Sequence, residues 1–398
     1  MPDIWPLVRP NVKTIVPYSP GKSSQEVMEE LGLTEVTKLA SNENPLGPSP
    51  KAVEAMAGAL SEVSVYPDPV WTELRKALGE FYQVDPAGIV IGRGSDEIIH
   101  MMGLSFLNPG EEVIYSLPPF ALYPMTTTLM DCKHVTIPSK GMDHDLDAMA
   151  AAITDRTKLI ILANPCNPTG TILKQGAVDQ FLASVPDHCI VAFDEAYAEF
   201  VEDPEYADSL RYTREGRLTV TLRTFSKAYG LAGLRVGYGI AAPEVAKAIG
   251  LTCEPFNVCS LAQIAAGAAG FGAATLARLP HTRQEARMAL EGFGAGQGDM
   301  CESPAAVRWG RSLALVGLAA QEPMLCSPEL RRYDYVLLST HGVIDLARPE
   351  YSYIALSGPP SGASASSAAD GRLMMPEAFG LSLQARMVTL SACRTAEG

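Results

Sequence analysis

From residue 51 to about residue 270, apolar positions follow two alternating rhythms. KAVEAMAGAL (51–60) and WTELRKALGEFY (71–82) space them three and four apart, which predicts amphipathic helices. IVIG (89–92), EEVIYSL (111–117), KHVTIP (133–138), KLIILAN (158–164), CIVAFDE (189–195), LTVTLRT (218–224) and RVGYGIA (235–241) predict strands. Several of these are continuous apolar runs, the pattern of strands covered by helices on both faces. Helices alternating with such strands predict an α/β domain around a mainly parallel sheet.

After residue 270 the text changes. The Gly/Ala-rich GAAGFGAATLA (267–277) leads into new patterns. YDYVLLSTHG (333–342) predicts a buried strand ending in a loop, and SGPPSGASASSAAD (357–370) a small-residue loop. MVTLSA (387–392) predicts a further apolar strand close to the end of the sequence. No internal repeat is visible.

Composition narrows the class. The 398 residues are 47% hydrophobic and 19% charged, enough apolar content for cores and length for two or three domains. A net charge of -14 argues against non-specific nucleic-acid binding, which needs a basic surface. No apolar run reaches 18 residues, so no membrane span is expected, and MPDIWPLVRP lacks the form of a secretory signal. The eight cysteines form no C-x-x-C pair and read as free thiols, so a cytoplasmic location is expected.

Four segments carry candidate chemistry. Lys227, in RTFSKAYGLAGLRVGYG (223–239), follows a strand among small and polar residues. A lysine so placed is commonly an ordinary surface residue, but the Ser-Lys-x-x-Gly-x-x-Gly-x-Arg text favours a Schiff-base amine that later acts as general base. Asp194 ends the apolar run CIVAFDEAYAEF (189–200), where a carboxylate suits a protonated pyridine nitrogen. A helix N-cap is the plainer alternative. Tyr197, three residues on, suits a ring hydroxyl, as does the amide of Asn167 in NPCNPTG (164–170). IVIGRGSDEIIHMM (89–102) reads as strand, turn and helix, so the amides of Gly94, Ser95 and Asp96 would open onto an anion. Ser95 or Asp96 serves equally well as a plain cap. Ser226 and Arg235 would complete a phosphate cup. Together these parts suit pyridoxal 5'-phosphate (PLP).

These segments resemble the fold-type I, class I/II aminotransferases. RPNVKTIVPYSPGK (9–22), KLASNENPLGPSP (38–50), YPDP (66–69) and EPFNVCSLAQIAA (254–266) are similar to histidinol-phosphate aminotransferases, and the resemblance covers about residues 5–270. It implies an N-terminal arm and part of a small domain over 1–50, and a three-layer PLP-binding large domain over 51–270. It also implies a homodimer, and transfer of an amino group between a small-molecule amino donor and a 2-oxo acid, 2-oxoglutarate. By the same resemblance Phe120 stacks on the PLP ring, Tyr66 reaches the neighbouring subunit's cofactor phosphate, and Tyr18 and Asn42 lie near the substrate.

Two departures qualify that picture. The family's carboxylate-clamping arginine, in an Arg-Ile/Val-Thr/Ser-x-Gly context, is not found, since Arg308, Arg311 and Arg332 stand in unrelated text. Segments over 276–398, including YDYVLLSTHGVIDL and VTLSACRTAEG, resemble the CHAT domain, a caspase-like cysteine peptidase fold. That resemblance implies a partial caspase-like α/β segment over 271–398 with a His341/Cys393 dyad. Its bland alternative is a structural histidine and a small buried thiol. The chain therefore reads as a hybrid of two partial domains. Besides an active transaminase, the expectations include a hybrid that binds PLP without turnover, and a cysteine peptidase.

Overall fold

A computed structural model describes residues 3–17, 23–31, 36 and 40–270, together with the backbone of eight strands between 306 and 395. The chain falls into two compact units, one of residues 1–19 and 42–279, the other of 20–41 and 280–398.

Ten helices are described: α1 Ser24–Leu31, α2 Pro50–Ala59, α3 Thr72–Tyr82, α4 Gly94–Phe106, α5 Leu122–Leu129, α6 Leu146–Ala151, α7 Gln175–Ser184, α8 Ser209–Arg214, α9 Pro243–Gly250 and α10 Ser260–Ala268. The first unit holds α2 to α10 and seven strands: β1 Ile89–Gly92, β2 Glu112–Leu117, β3 Lys133–Pro138, β4 Thr157–Ala163, β5 Ile190–Asp194, β6 Thr219–Thr224 and β7 Gly237–Ala241. They form one sheet in the order β1-β7-β6-β5-β4-β2-β3. Only β7 runs against its neighbours, so the other six strands point their carboxyl ends the same way. The expected mainly parallel sheet is present, and each predicted strand has its counterpart. The last starts two residues later than RVGYGIA suggests. Arg235 takes φ 51°, a left-handed conformation that cannot extend a strand.

Both faces of the sheet are covered. Val90, Val113, Leu159, Ala192 and Val220 pack with α4, α5 and α9. Their neighbours Ile89, Ile114, Ile160 and Val191 point the other way, toward α2, α3 and α10 or α6, α7 and α8. This gives three layers and explains the continuous apolar runs: a strand buried on both faces has no solvent face to alternate with.

The second unit includes α1 and eight strands: β8 Ala306–Trp309, β9 Ser312–Val316, β10 Tyr335–Ser339, β11 His341–Val343, β12 Tyr353–Ala355, β13 Arg372–Met374, β14 Met387–Ser391 and β15 Arg394–Thr395. These make two four-stranded sheets, β14-β10-β9-β8 and β13-β12-β11-β15. The strands expected in 333–342 and 387–392 correspond to β10 and β14, which pair in parallel. His341 opens β11 instead of lying in a loop. Tyr18, Cys393, Arg311 and Arg332 lie outside the described residues.

Candidate active site

Elements of the first unit converge where β1, β6, β5, β4 and β2 end, at the carboxyl edge where open α/β sheets take their ligands. Asp194 is the last residue of β5, in register with Ala163 of β4 and Leu222 of β6. It is only 7% exposed. The Tyr123 hydroxyl donates to its Oδ2 at 2.6 Å, while Oδ1 is buried and has no hydrogen-bond partner among the described residues. Burial pushes this carboxyl up to about 6. The Tyr123 hydrogen bond opposes that shift, the charge of Asp96 adds to it, and the Ala196 amide and Lys227 oppose it. The N-cap alternative is not what forms: the next turn, Ala198–Phe200, is preceded by Tyr197 and has no side-chain cap.

Lys227 stands in the turn after β6, half-buried, with Nζ 5.6 Å from the centroid of the Tyr197 ring. The Tyr197 hydroxyl accepts a 2.9 Å hydrogen bond from Asn42 Nδ2. Segment 42–48 is seated on the lysine turn. Asn44 Nδ2 donates to the Ala228 carbonyl at 2.9 Å, and a Cβ at Gly230 (φ +67°) would come within 2.3 Å of the Gly47 carbonyl oxygen. Only glycine permits that approach. Lys227, Tyr197, Asn42 and Asp194 are thus carried by elements that meet at one edge.

The turn from β1 into α4 builds a second cluster. Gly94, Ser95 and Asp96 are the first three residues of α4, so their amides belong to the helix's unpaired, positive end. Arg235 reaches this turn from its own left-handed position. Its Nη1 donates to Ser226 Oγ at 3.2 Å, and its Nη2 lies 3.1 Å from Asp96 Oδ2. The guanidinium lies so close over Gly94 (φ +79°) that a Cβ there would sit 2.6 Å from Nη2. Gly94→Ala is therefore expected to displace Arg235 and strain the turn, weakening anion binding by about tenfold or more, the worth of one hydrogen bond to a charged group. Titration with inorganic phosphate and with PLP checks this.

Phe120 lies in the segment between β2 and α5, half-buried, edge-on to Tyr123 with ring centroids 5.7 Å apart. Asn167 lies in the loop after β4, which is closed by bonds from Gly170 N to Cys166 O (2.7 Å) and from Cys166 N to Thr171 O (2.8 Å). That loop joins Asp194 through Asn164 N, which donates to the Asp194 carbonyl at 2.9 Å. Tyr66 stands apart from these groups. It is 79% exposed and stacks on Phe256 at 4.6 Å.

Comparison with known proteins gives the arrangement its family. The family model for aminotransferase class I and II matches residues 34–289. The chain belongs to the class I and II aminotransferases. It is 48% identical over 265 residues to a histidinol-phosphate aminotransferase of Moorella thermoacetica, covering 66% of this chain and 69% of that protein. With the enzyme of the same description from Akkermansia muciniphila it shares 49% over 262 residues, 65% of this chain and 72% of the other. Among solved structures, the histidinol-phosphate aminotransferase of Sinorhizobium meliloti in complex with PLP superposes with a TM-score of 0.64 at 26% identity. That superposition covers 73% of this chain and 78% of the other.

The cofactor of this aminotransferase is PLP, and its residues fit the group. The unpaired Asp194 Oδ1 leaves an acceptor of the kind a pyridinium N–H needs. The glycine at 94 leaves the helix amides and Arg235 open to a phosphate. Lys227 would hold the aldehyde carbon, and the Tyr197 hydroxyl, already paired with Asn42, suits the ring oxygen.

Two features beside the site were not singled out by the sequence. Tyr123 is one. It lies three residues after Phe120 in PPFALY, and nothing in that text ties it to Asp194, 71 residues away. The other is a buried ion cluster directly behind the site: Arg223 pairs with Glu195 at 2.6 Å and with Glu199 at 3.5 Å. Burial raises both carboxyls, and the arginine holds them down against it. Glu195 follows Asp194 and Arg223 precedes Ser226 by three, so the cluster ties the end of β5 to the end of β6. Arg223→Leu would leave two buried carboxyls without their cation and is expected to cost about 3–5 kcal/mol of folding stability, read by denaturant unfolding.

Proposed function

We propose that this aminotransferase moves an amino group between histidinol phosphate, or a related amino donor, and 2-oxoglutarate, with PLP held through Lys227. The observation that carries the reading is the buried, unpaired Asp194 Oδ1 within the cluster that also holds Lys227 and Arg235. When bound, PLP supplies an electron sink for the bonds at the donor's α-carbon.

The residues divide the remaining work. With PLP bound, the Lys227 amine would hold the cofactor's aldehyde carbon and would carry the proton that leaves the donor's α-carbon. The Asp194 carboxylate keeps a proton on the ring nitrogen. Tyr197 and Asn167 hold the ring oxygen. The Gly94, Ser95 and Asp96 amides, with Ser226 and Arg235, would hold the phosphate, and Phe120 would cover the ring. Asn42 would border the amino donor. The exposure of Tyr66 beside Phe256 supports a homodimer in which that tyrosine serves the neighbouring site.

Mixing the PLP-loaded protein with histidinol phosphate alone tests the reading. The visible band of the lysine-bound cofactor is expected to give way to that of the aminated cofactor, with return on adding 2-oxoglutarate. A band that ignores histidinol phosphate would contradict it. Because the Asp194 carboxyl sits near 6, uptake of PLP is expected to be strongest above that pH and to fall as pH drops through about 6. PLP's phosphate also titrates there. The Asp194→Asn protein, titrated in parallel, isolates the carboxyl's share.

A narrower proposal concerns the second unit. Its β10–β14 and β11–β15 pairs share an offset of 52 residues, 339 to 391 and 342 to 394. The peptidase-like reading rests on the sequence resemblance alone, and its Cys393 lies outside the described residues. A thiol-reactive peptide electrophile is expected to label Cys393 in a His341-dependent way, and absence of labelling ends this reading.

A further inference from the structure

We infer that Tyr123 is a positioning residue for the reaction: its hydroxyl locks Asp194 as a carboxylate with one oxygen reserved for the cofactor's ring nitrogen. The inference rests on the PLP reading above and deepens it.

Three observations lead to it. The Tyr123 hydroxyl donates to Asp194 Oδ2 at 2.6 Å, the length of a charge-assisted O–H···O bond. Both partners are buried, and the other carboxylate oxygen has no hydrogen-bond partner among the described residues. The Tyr123 ring also stands edge-on to Phe120, so one side chain braces the ion-pair partner and the residue expected over the ring.

The chemistry follows. A carboxylate can rotate and offer either oxygen. Held at Oδ2, it presents Oδ1 to any cationic donor that enters. The hydrogen bond also favours the anion against the pull of burial, which disfavours charge. Tyr123 can play this part throughout the working pH range, because burial and the facing carboxylate drive its own titration far upward and keep it a neutral donor. Its backbone is held in turn, since Thr127 Oγ1 donates to the Tyr123 carbonyl at 2.8 Å. Tyr115 offers an internal comparison. It is buried in the same cluster with its ring 6.1 Å from that of Tyr123, but its hydroxyl bonds His134 at 2.6 Å.

The test uses the full chain as wild type, Tyr123→Phe, Asp194→Asn, the double variant and Tyr115→Phe. Two quantities are read: the PLP dissociation constant, by quenching of intrinsic fluorescence, and the pH midpoint of the visible band of the bound cofactor. Phenylalanine conserves the ring and its packing, and thermal melts of the apoprotein confirm folding. Tyr123→Phe is expected to weaken PLP by about 10- to 100-fold, as for loss of a hydrogen bond to a charged group. It should also shift the band's midpoint, which a merely structural tyrosine would not move. In the Asp194→Asn background the same change is expected to alter affinity much less. Tyr115→Phe is expected to leave both quantities near wild type. An unaltered constant and midpoint in Tyr123→Phe overturns the inference. So does an equal loss in the Asp194→Asn background, or an equal loss in Tyr115→Phe. A wild type without any visible band sinks the PLP reading and this inference together. A normal wild-type band that Tyr123→Phe leaves unmoved sinks this inference alone.

Discussion

Lys227→Ala is expected to abolish the visible band of bound PLP and to cut amino transfer by a factor of at least about 10⁴, the upper range of a positioned general base alone. The loss is large because one amine performs two tasks, anchoring the cofactor and carrying the α-proton. Lys227→Arg is the informative companion. It keeps a cation beside the Tyr197 ring yet offers no amine that can lose its proton near neutral pH. Both variants should fail equally in turnover. Residual PLP binding is expected in both, because the cup of Ser226, Arg235 and the α4 amides is intact. The measurement is an absorbance titration followed by single-turnover kinetics.

Asp194→Asn is expected to lower turnover by about 10³-fold, in line with removal of one preorganised charged partner at a reacting group. Its effect on stability runs the other way. Asp194 titrates near 6 in the fold, above its ordinary 3.8. Between those values the native apoprotein binds more protons than the unfolded chain, so stability falls as pH rises from about 4 to about 6, and the cost persists above. The rise from 3.8 to about 6 corresponds to about 3 kcal/mol. The apo Asp194→Asn protein should therefore be more stable than wild type at pH 8, by up to that amount, and no more stable at pH 4. Denaturant unfolding of both apoproteins at the two pH values reads this directly. Function is held here at the expense of the empty fold, as the unpaired Oδ1 already suggests.

The layers of the first unit were legible because the sheet is buried on both faces. Runs such as KLIILAN and CIVAFDE cannot be amphipathic helices of that length, and the segments between them carry the helical rhythm. The reversal of β7 between β1 and β6 was not legible: periodicity carries no direction, and GYGIA reads alike either way. Lys227, Asp194, Ser226 and Arg235 announced themselves through turn residues and glycines that only a close approach requires, as at Gly94 and Gly230. Tyr123 and the Arg223–Glu195–Glu199 cluster did not. Their roles depend on contacts 71, 28 and 24 residues apart along the chain, which no local pattern encodes. Arg223 stands in a strand whose other positions are buried, where a charge is easily taken for a solvent-facing residue.

A covalent link between PLP and the Lys227 amine is the centre of the proposed site. Reduction of the PLP-loaded protein with borohydride, followed by peptide mass spectrometry, tests it most directly. A single pyridoxyl group on the peptide containing Lys227 is the expected result. A loaded, reduced protein with Lys227 unmodified, or with the label spread over surface lysines, would contradict it.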